Sequence, residues 1–269
     1  RTRFSSGLPG PEVPPGCITR TYAGPMKHIL HVGVGPLGQK IISDLHDRGV
    51  GQVVAAVDPS PALAGRPLCE IVPSASPKVR IAPSLDAVTN WNIDAAIVST
   101  VSDLPSCAPT LLALLAKGVS IVSTCEELVY PWLRHVAIAE ELDATAKRYG
   151  GRVLGTGVNP GFLMDALPAM LTGVCRSVRA IACYRVQDAS SRRVPFQKKI
   201  GAGLDTEQFA KLVSEGTIRH VGLGESLHFL AHYVGLPVER WEEQIEPVKA
   251  DRDLVCALGP IARGKCAGV

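Results

Sequence analysis

The stretch HILHVGVGPLGQK, residues 28–40, decides the fold. An apolar run with β-branched residues ends in Gly33, and the glycines at 33, 35 and 38 have the G-x-G-x-x-G spacing. In a strand–turn–helix, Gly33 permits the tight turn and Gly35 lets backbone approach a pyrophosphate. Gly38 lets the helix pack closely on the strand. Pro36 and Leu37 open the helix, where proline has no hydrogen-bonded N–H to lose, and an anion there would meet free N–H groups and the positive end of the helix dipole. A second strand then ends in Asp58. A carboxylate at that position suits the adenosine ribose hydroxyls and repels a 2′-phosphate, so the expected cofactor is NAD or NADP, with NAD favoured. The plainer reading is a glycine turn with no ligand.

Outward from this motif the pattern repeats. Residues 52–58, 93–100 and 119–125 are further short apolar runs of the kind that forms strands covered on both faces. Helical patterns over 37–48, 108–117 and 131–150 lie between them, the last two stopping at Gly118 and Gly150. Alternating strands and helices predict a doubly wound parallel sheet, whose ligands sit at the carboxyl ends of the strands. Ser99, Thr100 and Thr124 fall at such ends. Their hydroxyls can bind cofactor or cap the following turns.

Composition excludes several classes. Of 269 residues 46% are hydrophobic and 20% charged, enough to bury a core. Lys+Arg number 28 against 25 Asp+Glu, too even a balance to argue for nucleic acid or an anionic membrane. No apolar run is long enough to span a bilayer. The eight cysteines include no C-x-x-C pair, so free thiols in a reducing compartment are expected, with no metal site and a cytoplasmic location. Residues 1–25 are rich in Pro, Gly and Ser and are expected to be disordered; a targeting role is a weaker reading. The last residues, IARGKCAGV, stop in mid-pattern, so the second domain is expected to be incomplete.

VSTCEELVYPW places Glu126 and Glu127 just beyond the strand at 119–125. Two adjacent glutamates can simply place negative charge at a helix start. If one faces a partly apolar pocket, it can serve instead as an acid/base near neutral pH or stabilise a cation. Spacing does not say which of the two it is.

Farther along come RVLGTGVNPGFLMD (152–165), DASSRRVPFQKKIGAGLDTEQF (188–209) and IRHVGLGES (218–226). With STCEEL, these strings resemble the 2,4-diaminopentanoate dehydrogenases and related native amine dehydrogenases, whose N-terminal half is like dihydrodipicolinate reductase. The resemblance runs from about Met26 to the end of the chain. It implies a Rossmann-like cofactor domain over 26–155 and a smaller α+β substrate and dimerisation domain over 156–269. It implies reversible NAD(P)-dependent oxidative deamination of an amine to a ketone and ammonia, performed by a homodimer. On the matching motif the catalytic acid/base is Glu126, with Glu127 as fallback. Asn159 would lie beside nicotinamide and substrate, and Phe162, Met164, Arg185 and His220 would line the substrate pocket. Taken alone, Phe162 and Met164 read as core of an apolar helix, His220 as an ordinary half-buried histidine and Asn159 as a turn residue. The His-His and Lys substrate motif of dihydrodipicolinate reductase is missing, and SRRVPFQKK stands there. The alternatives are another NAD(P)H-dependent reductase of carbonyl or cyclic imine substrates, and a non-enzymatic dinucleotide sensor.

Overall fold

The structure is a computed structural model that describes residues 24–190, 192 and 194–269. Almost all of the N-terminal segment expected to be disordered lies outside the described residues, as do Ser191 and Arg193.

Six parallel strands form the main sheet: β1 (Lys27–Val32), β2 (Gly51–Val57), β3 (Ile81–Ala82), β4 (Ala95–Val98), β5 (Ser120–Ser123) and β6 (Val153–Gly155). Their spatial order is β3-β2-β1-β4-β5-β6, the doubly wound arrangement with its switch point between β1 and β4. Three helices cross over it: α1 (Pro36–Asp47), α2 (Leu104–Leu115) and α3 (Val136–Tyr149). Strand alternation divides the core between the two faces. Ile29, Val53 and Ala56 pack with Ile42 of α1 on one side. Leu30, Val32, Val57, Ala96 and Val98 pack with Leu111 and Leu115 of α2 and Leu142 of α3 on the other. Both faces are covered, which is why the strands read as continuous apolar runs.

Two helices differ from the sequence expectation at their starts. α2 begins at Leu104, before the expected Ala108, because Asp103 caps it by accepting the Ser106 N–H at 3.0 Å and Pro105 fits in the first turn. α3 begins at Val136; Pro131–Leu133 forms a separate 3-10 turn.

After β6 come α4 (Ala166–Thr172), α5 (Val194–Lys199), α6 (Thr206–Ser214) and α7 (Leu223–Val234). β7 (Val248–Lys249) pairs antiparallel with β10 (Cys266–Gly268), and β8 (Leu254–Cys256) with β9 (Gly259–Ile261). The KIGAGL string is structural. Gly201 has φ +73°, and a Cβ there would lie 2.6 Å from the Phe209 ring. Gln197 is buried and ties the preceding loop together, donating to the carbonyls of Ala189, Ser190 and Arg192 and accepting the Leu258 N–H. Lys198 and Lys199 are exposed.

His31 is the anomaly of the sheet. It is fully buried on β1, and neither ring nitrogen has a hydrogen-bond partner among the described residues. Burial, partly offset by the Gly33 backbone, lowers its pKa to about 4. The unfolded chain takes up this proton near pH 6.5 and the folded protein only near pH 4, so stability falls as pH drops through that window, by about 3 kcal/mol in full. His31→Leu is expected to lose that part of the pH dependence in urea unfolding compared at neutral pH and at about pH 4. An equal loss of stability in parent and variant would contradict the assignment.

Candidate active site

The glycine turn has the geometry its spacing predicts. Gly33 has φ +94°, donates its N–H to Val57 O at 2.8 Å, and would place a Cβ 2.6 Å from Ser99 O. At Gly38 a Cβ would lie 2.0 Å from Gly33 O and 3.0 Å from the His31 ring, so the helix can approach the strand only without a side chain there. At Gly35 a Cβ would meet nothing within 4 Å: this glycine faces open space. Gly35 is also the N-cap of α1, with no side-chain cap and no acidic residue in the first turn. The first N–H groups of α1 are therefore open to an outside acceptor. Pro36 stands at N1, and Leu37 beside it is exposed.

Asp58, at the end of β2, is nearly buried. Its Oδ2 accepts the Val34 N–H at 2.7 Å and its Oδ1 the Ser60 N–H at 2.9 Å. It thus fixes the glycine turn to β2, and each oxygen keeps a lone pair for a ribose hydroxyl. Ser99 Oγ donates to Gly33 O at 3.0 Å, so its hydroxyl pins the turn to β4. Thr100 follows, exposed, and Thr124 N–H donates to Val98 O at the end of β5. These residues, with the space a Cβ would fill at Gly35 and the uncapped helical N–H groups, fit a dinucleotide.

The two acids beyond β5 are unlike each other. Both lie in the 3-10 turn Glu126–Val129. Glu127 is buried, and its Oε2 accepts the Leu104 N–H at 2.9 Å and pairs with His135 Nε2 at 2.8 Å. Glu126 is half-buried and makes no hydrogen bond or ion pair within the described residues. Cys125, just before them, donates to Ser102 O at 3.2 Å; contact with the Cys107 thiol and burial push its pKa up, so it stays a thiol.

Past β6, Asn159 precedes a cis peptide bond to Pro160, and its side-chain oxygen is buried without a partner among the described residues. An orphaned acceptor is costly unless something donates to it. The neighbouring Asp165 is wholly buried. Its Oδ2 accepts the Gly161 N–H and the Ser226 hydroxyl, both at 2.7 Å, joining the NPG loop to α7. Gly222, at φ +93°, would place a Cβ 2.5 Å from Pro160. Glu225, also buried, pairs with Arg134 at 2.9 Å. The NPGFLMD and GLGES strings therefore meet in space. Sequence reasoning missed Asp165, Ser226, Glu225, Arg134 and His135; the one available signal was an acid set within FLMDALPAML.

The residues expected to line the substrate pocket are not gathered together. Met164 lines a cavity of about 630 Å³ with Ile181, Leu223, Leu227 and Leu230. Phe162, Arg185 and His220 are absent from its lining and are exposed; Arg185 pairs with Gln187 at 3.0 Å. Phe162 and Met164 precede α4 rather than lying within it. Among the described residues no group of three His, Cys, Asp or Glu is placed to hold a metal, and no helix is long and apolar enough to cross a membrane.

Fold and site together define a Rossmann-type dinucleotide-binding fold in which Glu126, just beyond β5, has no hydrogen-bond or ion-pair partner among the described residues. Residues 162–269 match the 2,4-diaminopentanoate dehydrogenase C-terminal domain. The 2,4-diaminopentanoate dehydrogenase of Acetoanaerobium sticklandii is 32% identical over 185 residues, 68% of this chain and 52% of that protein. The chain carries the C-terminal domain of the 2,4-diaminopentanoate dehydrogenases and spans about half the length of this curated relative. The structure of amine dehydrogenase from Mycobacterium smegmatis shares the fold, with a TM-score of 0.70 at 22% identity over 92% of this chain and 74% of that one.

Gly35→Ala is expected to leave the melting temperature unchanged and to weaken NADH binding about tenfold or more, because its methyl group fills the space a pyrophosphate needs. Gly38→Ala is expected to destabilise the fold by about 1–3 kcal/mol. Thermal melts and NADH fluorescence titrations separate the two; equal binding by Gly35→Ala and the parent would contradict the site.

Proposed function

We propose that the protein is an NAD(P)-dependent amine dehydrogenase catalysing reversible oxidative deamination of an amine to a ketone and ammonia. Residues 26–155 bind the dinucleotide, residues 156–269 contribute to the substrate side, and the working form is a cytoplasmic homodimer. The observation that carries the reading is the division of labour in the Glu126–Glu127 pair. One carboxylate is tied into the fold and the other, at the carboxyl edge of the parallel sheet, has no partner among the described residues. The relative from Acetoanaerobium sticklandii, named as a dehydrogenase of the diamino acid 2,4-diaminopentanoate, supports the substrate class.

The glycine turn and the α1 N-terminus hold the pyrophosphate, and Asp58 holds the ribose. With its carboxylate occupying that position, NAD is preferred over NADP. A nicotinamide held there would supply the hydride acceptor for the amine-bearing carbon. Glu126 takes the proton released when the neutral amine forms, passes it to solvent, and as a carboxylate again stabilises the iminium left after hydride loss through a charge-assisted hydrogen bond. It then accepts a proton from the water that adds to the iminium carbon, and returns one to the departing ammonia. Asn159 has an acceptor free for an N–H of substrate or nicotinamide.

Glu126→Gln is expected to bind NADH almost normally and to lose turnover about 100-fold or more. The assay follows NADH consumption with a panel of short ketones, with and without ammonium. Ammonium-independent turnover would point to a carbonyl reductase, and full activity of Glu126→Gln would contradict the assigned acid/base.

A further inference from the structure

His135 has no part in the chemistry just described, yet it is hydrogen-bonded to the neighbour of the acid/base. Its Nε2 lies 2.8 Å from Glu127 Oε2. Facing a carboxylate oxygen, Nε2 is the donor. The same oxygen accepts the Leu104 N–H at 2.9 Å, the first residue of α2. Glu127 N–H in turn donates to Ser102 O at 3.2 Å, and Cys125 Sγ donates to that same carbonyl. The backbone of His135 is fixed independently: its N–H donates to Pro131 O at 2.8 Å, and its carbonyl accepts the Ala139 N–H in the first turn of α3. Three stretches of chain, 102–104, 125–127 and 131–135, thus converge on one buried carboxylate. Of the four residues in the short turn that carries Glu126, Leu128 and Val129 are buried apolar side chains, and Glu127 alone among the described residues is held by side-chain hydrogen bonds.

We propose that His135 is a positioning residue: acting through Glu127, it fixes the turn that aims Glu126. The inference rests on the reading of Glu126 as the acid/base. A turn of four residues has few backbone hydrogen bonds of its own, so the direction of Glu126 depends on how firmly its neighbour is held. Remove the imidazole donor and Glu127 keeps only the Leu104 N–H for a buried carboxylate. It then has reason to turn toward water, taking the turn and Glu126 with it.

The test compares His135→Phe, which keeps ring size without a donor, with His135→Gln, whose amide N–H reaches Glu127. Each is assayed in the full chain for NADH consumption with ammonium and the most active short ketone. His135→Phe is expected to lower kcat by about 10- to 100-fold while KM for NADH stays within about twofold. His135→Gln is expected to restore most of kcat. In a double-mutant cycle, Glu127→Gln with His135→Phe is expected to be no slower than Glu127→Gln alone, since both remove the same contact. Parental kcat in His135→Phe, or additive losses in the double variant, would overturn the proposal. If His135→Phe fails to bind NADH, the comparison passes to His135→Asn against His135→Gln. A slow Asn and a fast Gln variant support it, and equal rates overturn it. A parental rate in Glu126→Gln would instead remove the acid/base reading itself, so the two failures are distinguishable.

Discussion

A buried carboxylate must find donors, and Glu127 has them from two directions, the first N–H of α2 and the ring of His135. Much of the proposed activity depends on that constraint. It joins the ends of β4 and β5 to the start of α3 and makes a short, irregular turn into a defined platform. It also separates two adjacent residues of identical chemistry. The one whose lone pairs are taken is part of the scaffold, while the one beside it keeps its lone pairs for a ligand. Neither residue could do both.

The glycine turn applies the same logic to shape. At Gly33 and Gly38 there is no room for a methyl group, because β1, β4 and α1 are in contact. At Gly35 there is room, and among the described residues no atom lies within 4 Å of a Cβ placed there. Space left open at one glycine while two others are tightly packed marks where a ligand belongs. Asp58 and Ser99 hold that turn from the two neighbouring strands, so the cradle is set before any cofactor arrives. A second set of buried polar contacts, Asp165 with Ser226 and Glu225 with Arg134, fastens α7 to the NPG loop and to the segment before α3. The acid, the cradle and the later helices therefore belong to one connected framework.

Much of this was legible in the sequence. The four long strands, α1 and the α/β class follow from apolar runs between glycine stops. β3 and β6 do not, being two and three residues long with no period to read. The start of α2 was hidden because Pro105 and Pro109 interrupt its pattern, and that of α3 because Pro131 resembles a helix opening. The glycine spacing and Asp58 were legible because each residue type answers one geometric need. The difference between Glu126 and Glu127 was not, since it depends on a histidine eight positions away and on the N-terminus of another helix. The substrate side was least legible. Met164, Phe162, Arg185 and His220 came from resemblance, and side-chain direction, which separates Met164 from the other three, is not written in spacing.

The most direct measurement is a crystal structure of the chain with NADH bound. The account predicts Glu126 turned toward the nicotinamide ring across the space where a substrate nitrogen would sit, with Glu127 still held by Leu104 and His135. Both glutamates directed to bulk water, or Glu127 released and facing the ring in place of Glu126, would contradict it.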